Sequence, residues 1–373
     1  MGIGLESKLA LWAVTPNGLA LGKKLLMAMP WAILFCSVRM ADAIIGDRPR
    51  TFSRLKESVA ENFHLFDGHI FIMATGIVVR AIAPHLSSKT TDPAVVVIDD
   101  QGQFSISLVS GHIGGANRLA SLCAGLLDAV PVITTATDIH HKPAIDLLAQ
   151  EIGAQIENPE SIKHVNMALL TGLPVRIYDP WGWLLSRLPE AIPIHDDEWE
   201  SIDLATSAVV WVEDRTRSLD ARILTLRPPS LVVGIGCNRN TPEVEIRELL
   251  EDTINRFELS RSSLSLIASI NIKSDEPGLV SLAEGMRLPM EFFTKDQLSR
   301  VEDAPTPSAV VKQHVGVTSV CEAAAILASQ NGPLIVPKQI SRNVTVAIAR
   351  RASTSSELDP EIRPTCPGAH GKY

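Results

Sequence analysis

The chain has 373 residues, 46% of them hydrophobic and 20% charged, a composition that folds and supplies two or three cores, so wholesale disorder is excluded. Its 34 Lys and Arg against 42 Asp and Glu leave a net charge of -8, which excludes a general phosphate-backbone binder, since that needs a basic face. The most apolar run, residues 25–36, is broken by Pro30 and stops short of the roughly 20 residues that span a bilayer, so neither nucleic acid nor membrane is expected as a partner.

Short β-branched runs alternate with helical patterns, the rhythm of parallel α/β layers. Residues 9–14 read as a strand, Thr15-Pro16-Asn17-Gly18 as a turn, 19–29 as a helix and 32–38 as a second strand. Lys23 and Lys24 imitate the start of a secretory leader, but they follow that strand-and-turn pattern and no small-residue cleavage site closes the run. Residues 69–73 form a strand leading through Ala74-Thr75-Gly76 into a helix over 77–83, and 94–98 with 104–109 flank Asp99-Asp100-Gln101-Gly102 as a hairpin. A glycine loop over 110–117 precedes a helix at 118–127, a strand at 131–135 and a helix at 144–152 announced by Pro143. Residues 159–170 read as helix and 174–178, 208–212 and 222–226 as strands. Between them runs a Pro-, Trp- and acid-rich stretch whose Trp181, Trp183 and Trp199, with Trp211, suit hydrophobic anchors. After Arg227-Pro228-Pro229 the rhythm restarts: strand 231–235, loop 236–241, helix 242–257, strand 264–270, helix 276–286, strand 290–293, helix 320–329 and strand 344–349. The expected architecture is α/β, with three-layer αβα-type units. An amino-terminal sheet domain (1–141) and a carboxyl-terminal one (229–351) are joined by a smaller α/β middle domain (142–228), and a mobile polar tail follows over 352–373.

Five widely separated cysteines, Cys36, Cys123, Cys237, Cys321 and Cys366, make no C-x-x-C pair, which suits a reducing cytoplasmic interior. Ten histidines form no H-E-x-x-H, and the adjacent His140 and His141 point apart on most backbones, so no metal site is expected.

The strongest local feature is Ser110-Gly111-His112-Ile113-Gly114-Gly115-Ala116-Asn117, between a strand and a helix. Its glycines let backbone approach a ligand, and N–H groups at a helix start favour an anion; the competing reading is a tight turn needed for packing. The spacing is neither a Rossmann fingerprint nor a P-loop, and it lacks the G-x-S-x-G of serine hydrolases. His112 could be a general base or a turn-bracing donor, and Asn117 a helix cap or a ligand contact. A second loop, Thr134-Thr135-Ala136-Thr137-Asp138, carries three hydroxyls and a carboxylate. In a doubly wound sheet these two loops and Thr75-Gly76 would share the carboxyl edge of their strands, with Arg80 one helical turn on, facing a carboxylate. In Gly234-Ile235-Gly236-Cys237-Asn238-Arg239-Asn240-Thr241-Pro242 the third glycine of a dinucleotide fingerprint is replaced by Arg239. A nicotinamide oxidoreductase is therefore rejected, Thr241 is expected to cap the following helix, Arg239 could meet an anion, and Cys237 suits packing better than nucleophilic attack.

Phe71-Ile72-Met73-Ala74-Thr75-Gly76-Ile77-Val78-Val79-Arg80, Thr91-Asp92-Pro93, the 110–117 loop and Val132-Ile133-Thr134-Thr135-Ala136-Thr137-Asp138 together resemble the cobalt-precorrin-5A hydrolase family of anaerobic cobalamin biosynthesis. Gly234-Ile235-Gly236-Cys237, Asp275-Glu276-Pro277-Gly278-Leu279, Pro337-Lys338-Gln339 and Asn343-Val344-Thr345-Val346-Ala347 resemble that family's carboxyl-terminal domain, which also occurs as a separate protein. The resemblance covers about residues 9–350 and departs at Asn238-Arg239-Asn240, where the family usually has a more basic, glycine-containing stretch. It implies a cobalt-bearing tetrapyrrole substrate whose lactone is opened by water, with the methylated bridging carbon expelled as acetaldehyde. Cobalt then arrives inside the substrate and no protein cofactor is needed; other enzymes of the pathway are possible partners. In that chemistry His112 and Asp138 are assigned to proton transfer. Thr75, Gly76, Arg80, Ser110, Gly111, Gly114, Gly115, Asn117, Thr134, Thr135, Gly236 and Arg239 are assigned to substrate binding. The competing class is a non-catalytic tetrapyrrole carrier.

Overall fold

The computed structural model describes residues 7–43, 49–88, 91–140, 142–196, 198–199, 202–301 and 319–351; the expected tail, with Cys366, and His141 lie outside the described residues. Two compact units divide the chain, Met1–Gln150 and Glu151–Tyr373.

The first unit is built on strands β1 (Leu9–Ala13), β2 (Ile33–Ser37), β3 (Arg50–Phe52), β4 (Gly68–Ile72), β5 (Ala94–Ile98), β6 (Phe104–Val109) and β7 (Val130–Val132), in the order β3-β2-β1-β4-β5-β6-β7. Between them run helices α1 (Pro16–Ala28), α2 (Leu55–Asn62), α3 (Thr75–Ile82) and α4 (Ala116–Leu127), and after β7 come α5 (Ala136–Ile139) and α6 (Ile145–Glu151). Every residue of β1 is buried, and the period-two alternation sends Leu9, Leu11 and Ala13 into one core with Leu19, Leu119 and Cys123, and Ala10 and Trp12 into another with Val59 and Val78. Helices thus cover both faces. The α1 start follows its sequence: Pro16 opens the helix and Thr15 Oγ1 accepts from the Gly18 amide at 3.0 Å. His69 sits inside the second core, accepting from Trp12 Nε1 at 3.1 Å, and burial lowers its pKa to about 4, so it is a neutral core histidine.

Strands β1 to β5 are parallel, but β6 is antiparallel to β5 and β7 is parallel to β6. This corrects the expectation of one shared ligand edge. The 110–117 loop and the 134–138 segment leave β6 and β7 at one end of the sheet, whereas Thr75, Gly76 and Arg80 follow β4 at the opposite end. The hairpin that forces the reversal is the Asp99–Gly102 turn itself, with Gly102 at φ 70°.

The second unit holds two sheets. One has β8 (Gln155–Ile156), β9 (Val175–Tyr178), β10 (Ile192–Pro193), β11 (Ala208–Val212) and β12 (Leu224–Arg227) in the order β10-β9-β11-β12-β8, with α7 (Ile162–Thr171) against β9 and β11. The other has β13 (Leu231–Cys237), β14 (Leu264–Ile270), β15 (Met290–Phe293), β16 (Leu334–Ile340) and β17 (Val344–Arg350) in the order β15-β14-β13-β17-β16. Helices α8 (Glu243–Arg256) and α9 (Pro277–Met286) pack on one face through Ile246, Leu250, Leu279 and Leu282. Helix α11 (Val320–Ala328) packs on the other, with the short α10 (Lys295–Ser299) beside it. The contact of α11 is backbone on backbone: a Cβ on Gly234 would lie 1.8 Å from the Cys321 carbonyl oxygen. Among the described residues no helix is long and apolar enough to cross a membrane.

Candidate active site

The glycine loop is folded into the start of α4 by its own backbone. The Gly115 amide donates to the His112 carbonyl at 2.8 Å, that of Ala116 to Ser110 at 3.0 Å and that of Asn117 to Gly111 at 3.0 Å. Three donors expected to remain available for an anion are therefore consumed inside the loop. The glycines serve the same folding: Gly115 is left-handed at φ 86°, a Cβ on Gly111 would lie 2.7 Å from Asn117 Oδ1, and one on Gly114 would lie 2.4 Å from Ser110 Cβ. Ser110 is itself left-handed at φ 59°, and its buried Oγ has no hydrogen-bond partner among the described residues. Gly115 occupies the cap position of α4, so Asn117 is its second residue and turns its side chain elsewhere.

That side chain is a bridge. Asn117 Oδ1 accepts from Ser107 Oγ at 2.7 Å, while Nδ2 donates to Thr135 Oγ1 at 2.9 Å and to Asp138 Oδ2 at 3.1 Å. The segment expected as a loop turns into α5 at Ala136, which swings Asp138 back beneath Thr135, whose hydroxyl donates to the same Oδ2. His112 completes the cluster: Nε2 stands 3.0 Å from Asp138 Oδ2 and 3.0 Å from Thr137 Oγ1, and Nδ1 stands 3.4 Å from Asp146 Oδ2 on α6. The imidazole lies between two carboxylates. Its pKa is raised above the ordinary histidine value, first by hydrogen bonding to Asp146, against an opposing burial effect, and then by the charges of Asp146 and Asp138 and the Asp138 hydrogen bond. Side-chain exposure separates the acids, at 37% for Asp138 and 7% for Asp146, so a substrate can reach the first and not the second.

Of the remaining expected residues, Thr75, Gly76 and Arg80 lie apart from this cluster, and Gly236 and Arg239 belong to the second unit. Thr134 is exposed beside the cluster; Thr75 and Gly76 begin α3 at the other end of the sheet, where Arg80 Nη1 folds back to donate to the Gly76 carbonyl at 2.8 Å. In the carboxyl-terminal sheet, Gly236 is held against Thr345, whose Oγ1 would lie 2.7 Å from a Cβ there. Arg239 donates to Asp275 Oδ1 and to the Ile272 carbonyl, both at 2.6 Å, and stands 3.5 Å from buried Glu276, so its guanidinium is committed to acceptors of the protein. The expected cap Thr241 donates its hydroxyl to the Asn238 carbonyl at 2.8 Å, and Pro242 takes the cap position of α8 instead. Burial raises the Cys237 thiol pKa, which suits a packed thiol. Among the described residues no group of three His, Cys, Asp or Glu side chains is arranged to hold a metal ion.

Two contributors escape sequence reasoning. Thr137 was one hydroxyl among three, and Asp146 interrupts an apolar helix on which Ile145, Leu148 and Ala149 are buried. A buried acid inside such a run is the signal that could have found it.

Three family descriptions match the chain in order: cobalamin synthesis G N-terminal over residues 57–138, cobalamin biosynthesis central region over 143–228 and cobalamin synthesis G C-terminus over 231–349. The cobalt-precorrin-5A hydrolase of Salmonella typhimurium strain LT2 is 35% identical over 347 residues, 91% of this chain and 97% of that protein. The chain belongs to the cobalt-precorrin-5A hydrolase family. The Priestia megaterium cobalt-precorrin-5A hydrolase is 34% identical over 299 residues, covering 77% of this chain and 79% of that protein. Protein CobE of Sinorhizobium sp. is 31% identical over 129 residues, 34% of this chain and 84% of its own length. Within the cobalt-precorrin-5A hydrolase pattern, His112, Asn117, Thr135 and Asp138 fall in the amino-terminal match and Asp146 in the central one, so the cluster draws on both.

Proposed function

We propose that this chain hydrolyses cobalt-precorrin-5A to cobalt-precorrin-5B and acetaldehyde, with the His112–Asp138 pair moving the protons. The observation that carries the reading is the match along 97% of the Salmonella hydrolase, through all three family regions. The geometry supplies a matching chemistry. Lactone opening needs a base to take a proton from water as its oxygen adds to the carbonyl carbon, donors for the resulting oxyanion, and an acid to protonate the departing ring oxygen. Asp138, the more exposed carboxylate, is the base; the His112 imidazolium, stabilised between two acids, is the acid. With the Gly115, Ala116 and Asn117 amides spent, the imidazolium, braced by the Thr137 hydroxyl, is the donor for the oxyanion. Carbon–carbon cleavage then removes the proton from the freed hydroxyl; the C–O bond becomes the aldehyde carbonyl, the bond to the ring carbon breaks, and that carbon takes a proton.

No electron is lost or gained, so cobalt carried by the substrate suffices and the protein contributes only acid, base and hydrogen-bonding groups. The four free cysteines among the described residues suit reaction in the cytoplasm, and enzymes that supply or consume the tetrapyrrole are the expected partners. Thr75, Gly76 and Arg80, at the opposite end of the sheet, stand outside this reaction centre. Anaerobic incubation with the cobalt tetrapyrrole and an aldehyde trap tests the reading: trapped acetaldehyde equal to substrate consumed supports it, and tight binding with no acetaldehyde shows a carrier.

A further inference from the structure

Asp146 has no part in the proton transfers just described, yet it is the group placed to govern them. Its residue is 5% exposed, at the second position of α6, among the buried Ile145, Leu148 and Ala149. From there Oδ2 reaches Nδ1 of His112 at 3.4 Å, on the side of the ring opposite Asp138 and Thr137, both of which meet Nε2. An acid so enclosed cannot touch a tetrapyrrole, but it can fix which ring nitrogen carries a proton.

We propose that Asp146 is the positioning residue of this reaction: it keeps Nδ1 of His112 protonated and turns Nε2 toward Asp138 and the substrate. The argument rests on the reading of His112 and Asp138 as the acid–base pair and deepens it. A neutral imidazole has one donor nitrogen and one acceptor nitrogen, and a carboxylate accepts only. Carboxylates face both nitrogens, so the imidazolium donates at each; Nε2 is the one at the exposed side, where a departing oxygen can take its proton, and Asp146 holds the other proton on Nδ1. Without Asp146 the remaining acid, Asp138, would draw the proton to Nε2 and the neutral ring would present the wrong tautomer. The raised pKa of His112, with Asp146 as its first cause, agrees with this arrangement. It also ties α6 to the 110–117 loop within the first unit.

The test reads the ring directly. Full-length protein with 15N-labelled histidine is followed by NMR from pH 5 to 9, with His112→Gln assigning the signal among the ten histidines. In the parent, neutral His112 should be the Nδ1–H tautomer; in Asp146→Asn its pKa should fall and the Nε2–H tautomer should gain. Turnover of Asp146→Asn should drop roughly tenfold or more with KM changed less than about threefold, as for other histidines deprived of the carboxylate that sets their tautomer. Asp146→Glu should restore part of the rate. If Asp146→Asn does not fold, the Glu variant and the parent spectra decide. A parent His112 protonated at Nε2, or an Asn variant with the parent's tautomer and pH profile, overturns the proposal. Should the parent release no acetaldehyde while its His112 tautomer is as stated, the reading of the reaction fails and the placement of the proton by Asp146 survives.

Discussion

At the scale of single residues, the proposed chemistry rests on one imidazole held between two carboxylates. His112→Ala should lower acetaldehyde release about a hundredfold or more, the usual contribution of a general acid–base group, while the variant stays folded. Its stability should carry a pH signature. A histidine whose folded pKa is raised adds stability that is present below the unfolded pKa and lost as pH rises through the folded one. Chemical denaturation should therefore show the parent exceeding His112→Ala by more at pH 5.5 than at pH 8.5; equal differences would remove the two-carboxylate account. His112 and Asp138 were legible in the sequence because a histidine among glycines and an acid among threonines have few packing partners. Asp146 was not, since an acid in an apolar run signals burial but not that the helix sets it against a loop more than thirty residues earlier. The loop amides misled for a related reason: glycines admit a ligand or admit the chain itself, and here the Ser110, Gly111 and His112 carbonyls arrived first.

At the scale of elements, strand and helix positions follow from periodicity, yet the direction of β6 decides which loops meet. The hairpin at residues 99–102 is readable in the sequence, whereas the reversal of every later strand end in that sheet depends on β7 pairing parallel to β6, which no local pattern shows. Strands β3 and β16 were missed, being short with exposed residues in one case and carrying Pro337, Lys338 and Gln339 in the other. The same scale explains Gly234-Ile235-Gly236. Gly234 lets α11 rest on the β13 backbone, so Gly234→Ala should destabilise by at least about 2 kcal/mol through overpacking, read as a lowered denaturant midpoint. Full stability in that variant would mean α11 does not lie against β13. Gly114→Val, attractive as a probe of ligand access, should instead unfold the loop, because its first contact would be Ser110.

At the scale of the whole molecule, three sheets fall into two compact units, and the second unit is clasped inside by charge. Arg350, ending β17, donates to both oxygens of fully buried Asp214 at 2.6 and 2.7 Å and lies 4.0 Å over the Trp181 ring, while Ser230 Oγ donates to Asp214 at 2.7 Å. Beside that pair, burial and then the charge of Asp214 push the Glu213 carboxyl up to about 7. A carboxyl raised in the folded state binds its proton more tightly there, so stability falls as pH climbs from the ordinary glutamate range through about 7. Glu213→Gln should accordingly gain on the parent at pH 8 relative to pH 5 in thermal denaturation, and a pH-independent difference would contradict this. In the proposed reaction, water opens the lactone at its carbonyl carbon before acetaldehyde leaves. Mass spectrometry of the tetrapyrrole product formed anaerobically in 18O-water tests it most directly. One labelled oxygen in the new carboxylate, with one trapped acetaldehyde per product, is the predicted result; an unlabelled product, or label without acetaldehyde, would contradict it.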